Sequence, residues 1–169
     1  MTEQTLEKFI EKWGTMGSVW GINASTARVH ALLIASEKPL GLDAISKRLR
    51  ISRGNASMCL KELRNWGVVR LTKAPGDRRD YYVTESDAWK MFFAIARERR
   101  RREFDPLVEV VKETLASLRE DAGSNVQSRL KKMEELLSTL KLLSERLLAN
   151  EETARSVLSL LTGFSKEHE

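Results

Sequence analysis

The chain is poor in the residues that most often announce chemistry. It has one cysteine, two widely separated histidines and three prolines. One cysteine excludes an intramolecular disulfide and fits a reducing compartment. No His/Cys/carboxylate group has metal-ligand spacing, so no metal is expected. There is no glycine-rich phosphate loop and no nucleophile elbow, and an enzyme is not expected. No apolar run approaches the roughly 20 residues needed to span a bilayer. The first residues, M-T-E-Q-T-L-E-K, do not read as a signal peptide. A cytoplasmic location is expected. The 169 residues are 41% hydrophobic, which argues against wholesale disorder and gives room for one domain plus extra helices.

What is present is concentrated in residues 43–83. Asp43 can cap a first helix whose buried positions are Ile45 and Leu49, four apart and so on one face. Arg50 and Ile51 form a turn, with Ile51 plugging the angle between helices. Ser52 is a good N-cap for a second helix, because its hydroxyl can accept an unpaired backbone N–H. Along that helix Ala56, Cys59, Leu60, Leu63 and Trp66 fall at helical spacing and face the core. The opposite face carries Arg53, Gly54, Asn55, Ser57, Met58, Lys61, Arg64 and Asn65: polar, basic and partly small. Gly67 stands where a left-handed C-cap is expected. Two short helices meeting at a turn are the layout of a helix-turn-helix that reads duplex DNA.

A hairpin follows. Residues 68–73 are rich in β-branched side chains, residues 74–80 carry Pro75-Gly76, and residues 81–84 return as a strand. The tip offers Arg78 and Arg79 beside Asp77 and Asp80. A paired carboxylate can hold an arginine extended for entry into a minor groove; the alternative is a solvated turn with weak surface ion pairs. Charge follows the same division. Residues 47–80 hold ten Lys/Arg against three Asp/Glu, whereas residues 1–46 sum to −1 and residues 104–169 to −3, in a chain of net +5. The positive excess lies on the proposed reading head, as phosphate binding requires.

Three regions are therefore expected: an N-terminal helix over 1–22, a DNA-binding domain over 23–85 and a helical linker and dimerisation region over 86–169. The first helix presents Leu6, Phe9, Ile10, Trp13, Gly17 and Trp20 on one face. Asn23 or Ser25 caps a second, very apolar helix with Ala27, Ala31, Leu32, Ile34 and Ala35 available for burial, ended by residues 38–41. After the wing, a helix from about Ser86 buries Trp89, Phe92, Phe93 and Ala96. Pro106 either kinks it or opens a new helix that carries Val108, Val111, Leu115 and Leu118 to a stop near Ala122-Gly123. From Ser124 a long helix places Met133, Leu136, Leu140, Leu143 and Leu147 at alternating three- and four-residue steps, with Leu130, Leu137 and Leu148 on a neighbouring stripe. A last helix buries Ala154, Val157, Leu158, Leu161 and Phe164. A second copy would cover these leucines; an intramolecular bundle is the alternative. The expected fold is mainly α with a small β-hairpin wing, a winged helix-turn-helix plus a helical dimerisation region.

The pattern L-x-x-I-x-x-x-L-x-I-S-x-x-x-A-S-x-x-L-x-x-L-x-x-x-G-V-V over residues 42–69, with the wing G-D-R-R-D-Y-Y-V-T over 76–84, resembles the MarR-type regulators of bacteria and archaea. W-G-I-N at Trp20, S-R-G-N-A-S-M at Ser52, the Tyr-Tyr strand and T-E-S-D-A-W-K are similar to the branch of glycine-betaine-synthesis repressors. The resemblance covers about residues 13–106. By it, Asp77 and Arg79 match the wing pair and Ser52 and Ser57 match polar positions of the recognition helix. Met58 departs, standing where many of these proteins place a basic residue. The resemblance implies a triangular homodimer joined by its N- and C-terminal helices, with outer wings and a ligand pocket between the two regions.

Three further groups invite a reading. Trp13, Trp20, Trp89, Phe92 and Phe93, with Tyr81 and Tyr82, could form a cation–π effector pocket for a quaternary ammonium such as choline or glycine betaine, although aromatics at helical spacing usually pack as core. Cys59, inward and alone, reads as an inert core thiol. The run R-E-R-R-R-R-E over 97–103 either pairs along a solvated helix, Glu98 with Arg102 and Arg99 with Glu103, or reaches phosphates. The function expected is a sequence-specific, double-stranded-DNA-binding repressor, homodimeric on a pseudo-palindromic operator. Its predicted DNA contacts are Ser52, Arg53, Gly54, Asn55, Ser57, Lys61, Arg64, Asp77, Arg78 and Arg79. No cofactor other than a small-molecule effector is expected. A winged-helix protein-interaction module, or a scaffold binding DNA without specificity, is the competing reading.

Overall fold

The computed structural model describes residues 2–73, 76–118 and 124–162, with residues 124, 161 and 162 described by backbone alone. The elements run α1 (Glu3–Val19), α2 (Ala24–Ile34), β1 (Leu40–Gly41), α3 (Leu42–Leu49), α4 (Arg53–Asn65), β2 (Val69–Thr72), β3 (Tyr81–Thr84), α5 (Ala88–Arg99), a π-helical turn (Arg100–Phe104), α6 (Asp105–Ser117), α7 (Ser124–Ala149) and α8 (Glu151–Thr162). They form two compact units, divided between Ala94 and Ile95 inside α5.

In the first unit, α2 is the central element. Asn23 caps it, its side-chain oxygen accepting the N–H groups of Ser25 at 2.8 Å and Thr26 at 3.4 Å. Val29, Ala31, Leu32 and Leu33 are buried. The buried Thr26 donates its hydroxyl proton to Glu62 at 2.8 Å, which ties α2 to α4 and satisfies a polar group that would otherwise be costly to bury. α1 lies close against α2 because Gly14 and Gly17 present no side chain there. A Cβ on Gly17 would overlap that of Ala27, and one on Gly14 would stand 2.6 Å from Arg28 Cγ.

The three strands form an antiparallel sheet in the order β1-β3-β2. The β2–β3 hairpin is the one expected, with Arg70 opposite Val83 and Leu71 opposite Tyr82. The small β1 strand, Leu40 opposite Tyr82 and Gly41 opposite Tyr81, was not expected, since residues 38–41 read only as the end of a helix. A two-residue strand has no alternation to display and exists through its partner alone. Helix-turn-helix plus three-stranded sheet is a winged-helix arrangement.

Other boundaries shift for local reasons. Gly41, not Asp43, occupies the N-cap of α3 and makes no side-chain cap bond; Asp43 falls in the first turn, where its charge suits the helix dipole. Arg50 closes α3 in a left-handed conformation (φ 54°), and the Ser46 hydroxyl donates to the Ile51 carbonyl at 2.7 Å, fixing the turn. Asp87, rather than Ser86, supports the start of α5, accepting from the Trp89 and Lys90 amides. Three aromatic side chains read as core stand open: Trp20 at 51%, Trp89 at 43% and Phe92 at 54% exposed. Phe93 and Ala94 provide the buried positions of α5.

In the second unit, Val108 and Val111 of α6 pack on Leu137 of α7, with Phe104 and Leu115 against them. Pro106 sits in the first turn of α6, where its missing N–H is harmless. Met133, Leu136, Leu140 and Leu143 remain exposed, while Leu137 turns inward. Ala154 is the buried anchor of α8. The turn at Pro75, the stop near Ala122-Gly123, the side chain of Leu161 and Phe164 lie outside the described residues.

Two outcomes follow from the first unit. Gly17→Ala should destabilise the chain by roughly 1–3 kcal/mol in chemical denaturation, the usual cost of overpacking, and Gly17→Ala with Ala27→Gly should recover part of the loss. His30 is buried beside Trp13 (ring centroids 6.3 Å apart), with its Nε2 3.3 Å from the Thr84 hydroxyl. Burial lowers its pKa to about 4. The unfolded chain, with an ordinary histidine near 6.5, then binds the proton the folded chain refuses. Unfolding free energy should therefore fall by about 3 kcal/mol as pH drops from about 6.5 to about 4, from this group alone. Above 6.5 the contribution is flat. Denaturant melts of His30→Gln across that window should show a shallower dependence than the unsubstituted chain.

Candidate nucleic-acid interface

α4 is two-faced. Ala56, Cys59, Leu60 and Leu63 are buried, as their spacing predicts. Ser52 caps the helix by accepting the Asn55 N–H at 3.1 Å. Trp66 is the C-cap and half-buried; Gly67 follows at φ +77°, a left-handed backbone that a side chain would strain, and Val68 N–H returns to the Leu63 carbonyl at 3.1 Å. The exposed stripe is Gly54, Ser57, Met58, Lys61 and Asn65, with Arg53 and Arg64 on its flank. Arg53 pairs with Asp43, binding the start of α4 to the start of α3.

Asn55 stands apart from the other predicted contacts. It is half-buried, its amide 3.5 Å from the Ser25 hydroxyl and its carbonyl accepting from the Cys59 thiol at 3.5 Å. The structure gives it a bracing role between α2 and α4. Cys59 itself is buried, and burial raises its thiol pKa. Its inward position is the one the helical spacing predicts.

The wing is organised by one carboxylate. Asp77 accepts the Arg79 backbone N–H at 2.9 Å, the Arg79 guanidinium through Nε at 2.9 Å and Nη2 at 2.6 Å, and the Tyr81 hydroxyl at 2.8 Å. The Arg79 guanidinium carbon also lies 5.8 Å from the centre of the Tyr81 ring. Bonds from Arg79 hold the Asp77 carboxyl well below the usual carboxylate range. Donation to Asp77 raises the Tyr81 pKa. Arg79 nevertheless keeps 78% of its side chain open to solvent. Tyr81 is the wing's third anchor, which the sequence showed only as a strand aromatic. At the base of the wing Lys73 pairs with Asp80 and donates to the Arg78 carbonyl at 3.0 Å. Arg78 is exposed.

The basic run beyond the head is paired. Arg99 binds Glu103 at 3.0 Å, and Glu98 takes Arg101 at 2.7 Å and Arg102. Arg100 meets Glu145 at 3.3 Å and Arg97 donates to the Leu148 carbonyl at 3.2 Å. Of the two readings, side-chain pairing is the one the structure displays.

The five aromatic residues expected at an effector pocket fall into three places. Trp13 packs on Phe9 (5.5 Å) and His30, Trp20 stands exposed at the end of α1, and Trp89, Phe92 and Phe93 touch one another at 5.5–6.4 Å. A cleft of about 410 Å³ does lie along α1, lined by charged side chains, Glu7, Glu11, Arg28 and Arg48, together with Ile10 and Leu49 and by none of the aromatic residues. Two of its arginines are engaged, Arg28 with Glu11 at 2.7 Å and Arg48 with Glu3 at 2.5 Å. Among the described residues no group of three metal-ligating side chains occurs, and no helix is long and apolar enough to cross a membrane.

No family model matches the chain. A Bacillus subtilis (strain 168) protein with the provisional name HTH-type transcriptional regulator YvaV is 24% identical over 93 residues, 55% of this chain. The matched segment spans about half, 52%, of that curated relative. A crystal structure described as a transcriptional regulator superposes with a TM-score of 0.68 at 23% identity, over 86% of this chain and 96% of that one. The shared feature is the winged-helix fold. A crystal structure of an S. aureus MepR–DNA complex aligns more loosely, at a TM-score of 0.40 and 19% identity over 81% of this chain and 91% of that one.

The clasp on Asp77 has a consequence readable without DNA. With Tyr82→Phe leaving Tyr81 as the only tyrosine, ultraviolet titration should show the Tyr81 phenol deprotonating at lower pH in Asp77→Asn than with Asp77 intact, because an ionised acceptor favours the protonated phenol. An unchanged titration would separate Tyr81 from Asp77.

Proposed function

We propose that this chain is a sequence-specific, double-stranded-DNA-binding transcriptional regulator of the MarR type, acting as a homodimeric repressor on a pseudo-palindromic operator. The observation that carries the reading is the wing: an exposed Arg79 bonded to Asp77 beside Tyr81, in the same compact unit as a helix whose outer face is basic and small. Asp43, at the start of α3, pairs with Arg53 at the start of α4. Recognition helices enter major grooves and wings reach the adjacent minor groove. The similarity to named transcription regulators supports the same class.

Dimerisation is supported by the exposed stripe Met133, Leu136, Leu140 and Leu143 on α7, an apolar seam that a second copy would bury. Half-sites are then expected about 10–10.5 bp apart or a multiple of it. Such a regulator would work in the cytoplasm, beside the chromosome. DNA and a second copy are the partners proposed, and a quaternary ammonium such as choline or glycine betaine is the effector class proposed for the aromatic residues.

Selection of genomic fragments by the purified protein, followed by footprinting at ~150 mM salt with excess competitor DNA, tests the reading. A protected pseudo-palindrome holding two chains is expected; uniform, salt-sensitive binding alone would favour the scaffold reading. Arg79→Ala should weaken binding and reduce the slope of log K against log salt by about 0.9 for each phosphate no longer neutralised, so by about two for a dimer. An unchanged slope would show that the wing arginine neutralises no phosphate.

A further inference from the structure

Met58 is the anomaly of the reading head. It is 74% exposed, at the middle of the outer stripe of α4, between Gly54 one turn before it and Lys61 and Asn65 after it. Most other exposed large apolar side chains lie on α1, α5, α6, α7 and α8. On α4 it stands on a face otherwise polar and basic, in the segment that carries the chain's positive excess. Such a face accepts a polyanion, and an apolar partner for Met58 must be presented by that polyanion. Double-stranded DNA presents one in its major groove, the C5-methyl group of thymine.

We propose that Met58 reads a thymine methyl group in each operator half-site, and so sets part of the sequence preference. The inference rests on the proposed DNA-binding function and adds a base identity to it. The surroundings suit the contact. A Cβ at Gly54 would meet nothing within 4 Å, so the outer surface one turn before Met58 is only backbone. Ser57 beside it is small. The helix can therefore approach the floor of the groove closely at this point. The thioether is unbranched and can follow a methyl group without a fixed rotamer. Lys61, one turn from Ser57 on the same stripe, remains available to a phosphate or to guanine. A basic side chain at position 58 would favour guanine or phosphate; a methionine favours a methyl.

The test uses the full chain and a duplex site selected by it from random sequence. Each thymine of the half-site is replaced in turn, symmetrically, by deoxyuridine, which removes the methyl group and leaves base pairing unchanged. Burying one methyl is worth about 0.8 kcal/mol, so one position should lose about fourfold in affinity per half-site and roughly fifteenfold for both. Met58→Ala should bind the thymine and deoxyuridine duplexes equally, within about twofold, and Met58→Leu should restore part of the difference. Because Met58 is exposed, both variants should melt as the unsubstituted chain does. A thymine/deoxyuridine ratio that persists in Met58→Ala, or no thymine whose methyl matters, overturns the inference while leaving the operator intact. Failure to select any site overturns the DNA-binding reading and this inference together.

Discussion

The inner face of α4 holds the proposed reading head in register. Leu60 and Leu63 are almost completely buried, and each such side chain contributes about 1.5–3 kcal/mol relative to exposure. Once they are seated, the helix cannot rotate without lifting them out, so the outer stripe has a fixed direction. The Thr26–Glu62 bond and the Asn55 brace to Ser25 fix the same helix from α2, at its two ends. Arg50, held left-handed, and the Ser46–Ile51 bond set the angle between α3 and α4. The polar bonds matter because they are directional, where hydrophobic burial is not.

The wing rests on a different kind of constraint. An exposed ion pair such as Arg79–Asp77 adds little to stability. Its effect is conformational. Two guanidinium bonds, the backbone N–H and the Tyr81 hydroxyl converge on one carboxylate, so the arginine is stiff before anything arrives. Ordering a long side chain on binding costs about 0.5–1.5 kcal/mol, and here much of that cost is met within the free protein. The carboxylate partly offsets the charge of Arg79, yet the wing gains from Arg78, which is exposed beside it. Asp77 thus exchanges some electrostatic attraction for direction.

Local signals were legible in the sequence, and non-local ones were not. The Ser52 cap, the burial of Ala56, Cys59, Leu60 and Leu63, and the Gly67 stop each depend on neighbours within four residues, and each is where its spacing placed it. β1 depends on Tyr81 and Tyr82, some forty residues away, and left no local trace. Gly41 and Asp43 were confused because both suit a helix start. Asn55 lies at the edge of the polar face, where one helix neighbour decides whether it turns inward or outward. Trp20, Trp89 and Phe92 show the limit of hydrophobic reasoning: composition says that such residues avoid water, but not whether their own chain or another one shields them. The same holds for α7, where Leu137 and Leu140 differ only in helical angle.

The basic run at 97–103 shows why charge counted along a sequence overstates charge available to a partner. Its five arginines exceed its two glutamates, so sequence alone makes it a second candidate for phosphate. In the structure Glu98 and Glu103 satisfy Arg99, Arg101 and Arg102, and Glu145 comes from α7 to meet Arg100. Phosphate would have to displace a carboxylate already in place at each of them. On α4 no such competition is set up along the central stripe, and at the wing the one carboxylate that binds Arg79 leaves it exposed. Two segments of similar composition thereby come to different ends: one pairs its charges along and between helices, and the other keeps its positive charge facing outward.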